Sequence, residues 1–173
     1  LAEQAATDSL TGLPNRRTFD AYLANQVAGR ARRSRDTGLA LLVLDLDHFK
    51  SVNDNYGHGV GDEVLREVST RIREATRRGE LCARLGGEEF AVVLPDTDQE
   101  EVAATAERFR HLIGDEPVDT SIGPLTITVS IGGGHTRGES HDDIATGLLR
   151  CADTALYRAK AAGRDRVSMS SID

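Results

Sequence analysis

Four carboxylates lie in two short stretches of the sequence where they could share a metal ion. Asp45 and Asp47 follow a continuous apolar run, and Glu88 and Glu89 follow a pair of glycines. Carboxylate oxygens suit Mg²⁺, which takes one or two protein carboxylates and completes its shell with water and substrate phosphates. The alternatives are that one aspartate caps the next helix and that the glutamates lie in a solvated turn. A metal site requires the two stretches to meet in the fold.

The glycines before the glutamates favour the metal site, because glycine lets a ligand approach the backbone closely.

Cations that could hold phosphate groups lie in two places. Lys50 is in the turn after the apolar run, where the amides of residues 46–50 could form a small anion-binding nest. Lys160 and Arg164 are about one turn apart at a predicted helix end, where they could instead only complement the helix dipole.

Asn53 and Asp62 flank a glycine-rich stretch and could recognise a purine. A carboxylate can accept hydrogen bonds from both N1–H and the 2-amino group of guanine, whereas adenine offers no such pair. An asparagine can both donate and accept on a purine edge. The alternative is that both residues only cap a loop and a helix.

Length, charge and aromatic content restrict the partners. The chain has 173 residues, enough for one domain with a sizeable core. Its net charge is -7, and aromatic residues make up 4% with no Trp. A general nucleic-acid binder would be basic and would offer rings for base stacking. We therefore expect no nucleic-acid partner, and any phosphate must be bound locally.

Cysteine usage and hydropathy favour the cytoplasm. Cys82 and Cys151 are far apart in the sequence, which is typical of buried thiols in a reducing compartment. No apolar run approaches the roughly 20 residues that a membrane helix needs. No signal peptide is evident. We expect a cytoplasmic domain without membrane contact.

The elements that must position these side chains alternate between helices and strands. We expect the ferredoxin-like βαββαβ arrangement of the α+β class, with a mostly antiparallel central sheet surrounded by helices. In such a sheet the central strand can lie beside the hairpin, which would bring Glu88 close to Asp45. The predicted elements are helix 16–33, strand 38–44, helix 61–78, hairpin 84–95, helix 99–113, a strand pair around 123–124 whose second strand covers 125–131 and ends at the glycines 132–134, helix 142–162 and edge strand 164–168.

Six motifs in order resemble the GGDEF family of diguanylate cyclases, and the resemblance covers nearly the whole chain. The E-E form of the signature is one of the two forms that active members use. The motifs are D-S-L-T-G-L-P-N-R-R (8–17), D-L-D-H-F-K-S-V-N-D (45–54), G-H-G-V-G-D (57–62), R-L-G-G-E-E-F (84–90), V-S-I-G (129–132) and A-D-T-A-L-Y-R-A-K-A-A-G-R-D (152–165).

The resemblance implies a catalytic domain over residues 8–173, with a sheet like that of nucleotide cyclases and polymerase palms. Residues 1–7 would be the end of a linker helix from an upstream sensory or receiver domain. Two facing domains, a homodimer, would condense two GTP into cyclic di-GMP and two pyrophosphates. The alternatives are a degenerate domain that senses GTP or cyclic di-GMP, a cyclase that acts within one GTP, and a dimerisation module.

The resemblance also implies the roles of individual residues. Asp45, Glu88 and the Leu46 carbonyl would hold Mg²⁺ or Mn²⁺. Either Glu88 or Glu89 would help to activate the attacking hydroxyl. Asp62 disfavours the family branch that makes mixed guanine–adenine products. The residues implied in substrate binding are Phe49, Lys50, Asn53, His58, Asp62, Gly86, Gly87, Lys160 and Arg164.

Two departures from the family pattern concern regulation and the last turn. Many members carry an R-x-x-D product-inhibition site, and here Arg77 is followed by Glu80 instead of aspartate. We expect weakened inhibition by cyclic di-GMP at Arg77, Glu80 and Arg108, the alternative being a solvated helix end. Asp165 stands where asparagine is usual, and we expect little effect.

Overall fold

The computed structural model of the chain describes residues 5–30, 38–137 and 143–172. Its elements are α1 (Arg16–Arg30), β1 (Leu39–Leu46), α2 (Phe49–Tyr56), α3 (His58–Ala75), β2 (Leu81–Gly86), β3 (Glu89–Pro95), α4 (Gln99–Gly114), β4 (Val118–Thr120), β5 (Gly123–Leu125), β6 (Val129–Thr136), α5 (Ile144–Ala161) and β7 (Val167–Ser171).

Five strands form one sheet in the order β2-β3-β1-β6-β7, and β4 and β5 form a separate ribbon. β1 is antiparallel to both β3 and β6, and β7 runs parallel to β6. The strands β1, β2, β3 and β6, with the helices between them, make up the ferredoxin-like unit. The predicted α+β class is confirmed.

β1 is buried along its whole length because helices cover both faces of the sheet. Ala40, Leu42 and Leu44 pack in the larger core cluster, together with side chains of α3 and α4. Leu41 and Val43 pack in the second cluster, with side chains of α1 and α5. A strand with two covered faces has a continuous apolar sequence, which explains the run that ends at the aspartates.

Helix α2 is not among the elements predicted from the sequence. Phe49 and Val52 are its buried residues, and so short an apolar pattern is ambiguous. Gly57, with a φ of 88°, separates α2 from α3. α3 therefore begins at His58, ahead of the predicted residue 61, and ends at Ala75.

The predicted strand 125–131 is wrong in its bounds. β5 ends at Leu125, β6 begins only at Val129, and the glycines expected to end the strand lie inside β6. A Cβ atom added at Gly132 would overlap the backbone of Ala152 and Leu156 on α5. Gly132 and Gly134, where an added Cβ would meet α5, are therefore needed inside the strand, because they let the helix pack directly on it.

The ends of the chain also differ from expectation. The closing strand is Val167–Ser171 rather than 164–168, because Arg164 and Asp165 have left-handed backbones, with φ of 63° and 46°. Residues 5 and 6 of the predicted linker helix are not helical, and Thr7 bridges to Pro14. The rest of that predicted helix and the predicted end of α1 at 31–33 lie outside the described residues.

None of the helices in the described residues combines the length and the apolarity that a bilayer span requires.

The close packing of β6 on α5 generates a stability prediction. Gly132→Ala should lower the free energy of unfolding by about 1–3 kcal/mol, because the added methyl meets backbone that cannot move aside. Gly133→Ala is the matched control, since its methyl would meet the flexible end of Met169 and, less closely, a methyl group of Leu42 instead of backbone. Urea denaturation of the two variants measures the difference. Equal losses would contradict the packing argument.

Candidate active site

The end of β1 and the turn between β2 and β3 meet at one edge of the sheet. We call residues 86–89 the hinge. Asp45 lies directly opposite Glu89 in the β1–β3 register, so their side chains share one face of the sheet. The Leu46 amide donates to the Glu88 carbonyl at 3.2 Å, which fixes the hinge against the strand. The two acidic stretches therefore meet, as the sequence predicted, although Glu89 rather than Glu88 is the residue facing Asp45.

Burial and mutual repulsion perturb the carboxyls at this edge. Burial raises the pKa of Asp45, and the charges of Glu88 and Asp47 add to the rise. Burial also raises the pKa of Glu89, and so does the charge of Asp45. Lys160 opposes both shifts, and its Nζ donates to Asp45 Oδ2 at 2.8 Å. The carboxylates of Asp45, Glu88 and Glu89 are thus opposed by a single ammonium, that of Lys160. The edge therefore remains a favourable place for a further cation.

The donor set at this edge fits a hard divalent ion. Asp45, Glu88 and Glu89 offer carboxylate oxygens, and the Leu46 carbonyl could add a neutral one. Across the parts of the chain that the structure describes, no group of three or more His, Cys, Asp or Glu is arranged as a metal cluster. Mg²⁺ does not require such a cluster, since it binds one or two protein carboxylates together with substrate phosphates.

A cleft of about 420 Å³ opens beside the hinge, and we call it the first cleft. It brings together seven of the predicted site residues, which come from α2, α3 and the hinge. Arg84 and Leu65 complete the lining. The predicted residues in it are Phe49, Lys50, Asn53, His58, Asp62, Gly87 and Glu88.

Asn53 carries the clearest sign of a missing partner in the first cleft. Its Oδ1 atom is buried and has no hydrogen-bond partner among the described residues. A Cβ atom added at Gly61 would overlap that oxygen, so the glycine in the G-H-G-V-G-D motif makes room for it. An unpaired buried acceptor is costly, and a ligand donor would remove that cost.

Asp47 has a structural role instead of a metal-binding or capping one. Its carboxylate accepts hydrogen bonds from Thr128 Oγ1 at 2.7 Å, from Ser130 Oγ at 2.6 Å and from the Asp165 amide at 3.0 Å. The residue at the start of α2, His48, makes no side-chain cap. Asp47 therefore ties β1 to β6 and to the turn after α5.

That turn determines where the predicted phosphate ligands lie. Arg164 is on the left-handed turn that Asp47 holds, and the residues lining the first cleft do not include it. Lys160 is directed at Asp45. The Asp165 carboxylate is a second negative charge close to Asp47, and its ion pair with Arg110 at 3.1 Å compensates that charge. Of the predicted phosphate-binding cations, Lys50 alone lines the first cleft.

Arg84 is a site residue that the sequence did not reveal. Its guanidinium donates to the Gly87 carbonyl at 2.8 and 3.1 Å and pairs with Asp8 at 3.1 Å. Burial alone would raise the pKa of Asp8, but hydrogen bonds from Thr11 and Arg84 lower it overall. Both ends of this bridge lie in recognised motifs, yet nothing in the sequence indicated that they touch.

The predicted product-site residues line a separate cleft of about 320 Å³ beside α4, which we call the α4 cleft. Arg77, Glu80 and Arg108 all take part in its lining. The Glu80 carboxylate accepts from the Arg77 amide at 2.7 Å. Arg108 donates to the Ala75 carbonyl at 2.6 Å, but another of its nitrogens is buried without a partner in the described part of the chain.

A helix-covered sheet with acidic residues at the end of its central strand is the architecture of a nucleotide-cyclase-like domain. More particularly, the chain belongs to the GGDEF family: the family model described as "Diguanylate cyclase, GGDEF domain" matches residues 5–166.

Named relatives and solved structures agree with this membership. The chain is 44% identical over 173 residues to the diguanylate cyclase DgcP of Pseudomonas aeruginosa, covering 97% of this chain and 24% of that protein. It is 41% identical to the response regulator PleD of Caulobacter vibrioides, covering 95% of this chain and 36% of that protein. It therefore spans a minor part of the length of both relatives.

Among solved structures, the chain is similar to the GGDEF domain of DgcB from Caulobacter crescentus, solved in complex with c-di-GMP. The identity is 37%, the TM-score is 0.87, and the match covers 98% of each chain. It is also similar to the diguanylate cyclase SiaD of Pseudomonas aeruginosa, solved with its activator SiaC. There the identity is 34% and the TM-score 0.87, covering 96% of this chain and 62% of that one.

Proposed function

We propose that this domain is a diguanylate cyclase that condenses two GTP into cyclic di-GMP and two pyrophosphates. The first cleft carries the proposal, because it joins candidate guanine ligands to an acidic, metal-compatible edge. The catalytic unit is a homodimer of facing domains, and each domain holds one GTP. The same domain, residues 8–173, would follow an upstream sensory or receiver domain, in keeping with the greater length of its relatives. A GTP-dependent activity and free thiols fit the cytoplasm.

Guanine is recognised by the two polar residues of the first cleft. Asp62 accepts from N1–H and the 2-amino group, and Asn53 Oδ1 accepts a donor that the protein itself does not supply. The Asp62 contact would discriminate against adenine, because adenine lacks that pair of donors. Phe49 and His58 line the same cleft beside the base.

The phosphates extend from the base towards the hinge and the end of α5. Lys50, Lys160 and Arg164 supply positive charge, and Gly86 and Gly87 let the backbone lie against the nucleotide. Mg²⁺ or Mn²⁺, held by Asp45, Glu88 and the Leu46 carbonyl, would stabilise the negative charge that develops on the α-phosphate.

In each half-reaction the 3′-oxygen of one GTP forms a bond to the α-phosphorus of the other. The bond from that phosphorus to the bridging oxygen breaks, and pyrophosphate leaves with the electron pair. The hydroxyl proton passes to a hinge glutamate. Glu89 suits this role, because its raised pKa brings the carboxylate closer to the strength that a general base needs near neutral pH.

Product inhibition would act through the α4 cleft. The guanidinium groups of Arg77 and Arg108, which both line the cleft, supply positive charge for a dinucleotide. Glu80 is already engaged with the Arg77 amide, which limits what it can offer a ligand. We therefore expect the Glu80 form of the site to bind cyclic di-GMP, but less tightly than the aspartate form.

The proposed reaction makes the dependence of activity on protein concentration the decisive measurement. With GTP and Mg²⁺, specific activity should climb about tenfold per tenfold rise in concentration while dimers are scarce, by mass action. Chromatography should identify cyclic di-GMP, and Asp45→Asn should abolish its formation. A cyclic mononucleotide product would support a one-GTP cyclase instead. GTP binding without turnover at any concentration would support a sensor.

The left-handed backbone of Gly87 generates a prediction about the hinge. Gly87 has a φ of 51°, and an added Cβ would meet no protein atom within 4 Å. Asparagine tolerates this conformation and valine does not. Gly87→Asn should keep the melting temperature but weaken GTP binding at least tenfold, because the side chain enters the cleft. Gly87→Val should both lower the melting temperature and weaken GTP binding. Normal GTP binding by Gly87→Asn would mean that the glycine serves only the turn.

The α4 cleft generates a calorimetric prediction. Titration of cyclic di-GMP into Arg77→Ala should give markedly weaker binding than into the unmodified domain, since one cation of the site is removed. Arg78→Ala is the matched control, because the neighbouring arginine does not line the cleft. Identical curves for Arg77→Ala and the unmodified domain would rule out this product site.

A further inference from the structure

The turn that carries Arg77 into the α4 cleft is held by a tyrosine from the opposite face of the sheet. The Tyr22 hydroxyl, on α1, donates a hydrogen bond to the carbonyl oxygen of Gly79, although the two residues are 57 positions apart in the chain. Gly79 lies between Arg77 and Glu80, but neither it nor Tyr22 lines the α4 cleft. Neither the first cleft nor the lining of the product site accounts for this contact.

Residues 77–80 form a turn with a defined backbone geometry. The Glu80 amide donates to the Arg77 carbonyl at 3.1 Å, and Gly79, the third residue, has a φ of 88°. This is the pattern of a type II turn, which needs a residue that tolerates positive φ in third place. The Glu80 carboxylate also accepts from the Arg77 amide at 2.7 Å. These internal bonds set the shape of the turn but not its orientation relative to the sheet.

Two contacts from outside fix the turn relative to the rest of the domain. On the α4 side, Arg108 donates to the carbonyl of Ala75, the last residue of α3, at 2.6 Å. On the α1 side, Tyr22 holds the Gly79 carbonyl. Residues 77–79 are all exposed, so burial does little to hold them. The orientation of the turn therefore depends on these two contacts.

Helix α1 gives the Tyr22 hydroxyl a firm support. Phe19 and Leu23, its neighbours on the helix, are buried in the second core cluster. The Tyr22 ring packs against the same cluster, as does Leu81 at the start of β2. Because packing already restricts the ring, its hydroxyl can hold the carbonyl at little further cost in side-chain entropy. The hydrogen bond thus ties the turn to a rigid helix.

We propose that Tyr22 is a positioning residue for product inhibition: it holds the turn in the orientation that presents the Arg77 guanidinium to cyclic di-GMP. This inference rests on the proposed function, and in particular on the α4 cleft as the product site. A site that adopts its binding-competent geometry for only part of the time loses apparent affinity by that fraction. A turn that is fixed before the ligand arrives avoids this loss. Tyr22 acts through the backbone and does not touch the ligand.

The inward direction of Glu80 makes the placement of Arg77 more important. The Glu80 carboxylate is engaged with the Arg77 amide, so recognition of the product depends mainly on Arg77 and Arg108. Arg108 is anchored by its own bond to α3. Arg77 is exposed, and only the turn determines where its guanidinium starts from. The Tyr22 contact therefore acts on the less firmly held of the two cations.

The test uses Tyr22→Phe, which removes the hydroxyl and keeps the ring in the core. Calorimetry should show cyclic di-GMP binding weakened by about threefold to tenfold, the factor expected for the loss of one neutral hydrogen bond. The inhibition constant of cyclic di-GMP against GTP turnover should rise by the same factor. The kcat and the KM for GTP, measured before product accumulates, should stay unchanged. Tyr56→Phe is the matched control, because Tyr56 is exposed and its hydroxyl bonds to none of the described residues.

Two substitutions of Gly79 test the same geometry from the backbone. An added Cβ at Gly79 would meet no protein atom within 4 Å, so neither change creates a clash. Gly79→Asn should keep the affinity for cyclic di-GMP to within about twofold, because asparagine tolerates positive φ. Gly79→Ala should weaken it as Tyr22→Phe does, because alanine strains the turn in this conformation.

The outcomes separate this inference from the product site on which it rests. If Arg77→Ala weakens cyclic di-GMP binding but Tyr22→Phe does not, the product site stands and this inference is wrong. A loss in Tyr22→Phe that comes with an equal fall in kcat would mark a merely structural role and would also overturn it, as would unchanged affinity in Gly79→Ala. If Arg77→Ala itself binds like the unmodified domain, the proposed product site falls and this inference falls with it.

Discussion

Two like charges face each other across the last pair of residues between β1 and β3. Asp45 and Glu89 are direct cross-strand neighbours, and like charges in that position are destabilising. The sheet nevertheless continues into the hinge, because the Leu46 amide bonds to the Glu88 carbonyl and Lys160 bonds to Asp45. The rest of the site is arranged around this repulsion, which one ammonium offsets only in part.

Lys160 reaches Asp45 only because α5 packs closely on the sheet. Gly132 and Gly134 in β6 place no side chain against α5, so the two backbones approach directly at these positions. The turn that follows α5 is then anchored by Asp47, whose carboxylate also bonds to two residues at the start of β6 and just before it. The two aspartates at the end of β1 thus divide the work: one faces the candidate metal site, and the other holds the frame.

The sequence was a good guide to what the residues are and a poor guide to which face they occupy. The apolar run ending at Asp45 indicated a strand covered on both sides, and the order of elements indicated the sheet. The sequence predicted that Glu88 would lie close to Asp45, and the Glu88 charge does raise the pKa of Asp45, but it did not predict that the register sets Glu89 directly opposite. A shift of a single residue reverses the face of every side chain in a strand. The ladder between β2 and β3 is irregular just before the hinge, and hydropathy does not report such a shift.

Contacts between distant parts of the chain were also beyond the sequence. Helix α2 is too short to show a period, so the meeting of Asn53 and Asp62 in one cleft could not be derived from pattern alone. The bridge from Asp8 through Arg84 to the Gly87 carbonyl joins residues far apart in the chain. All three residues lie in motifs that are visible in the sequence, but their contact depends on the packing of α1 against β2.

That bridge has a practical consequence for protein engineering. A single guanidinium connects the turn at Asp8 to the backbone of the hinge. We expect a rigid tag or fusion partner joined immediately ahead of this turn to disturb the Asp8–Arg84 contact more than one joined through a flexible glycine–serine spacer. The choice of spacer therefore sets how strongly an attached module can influence the geometry of the hinge.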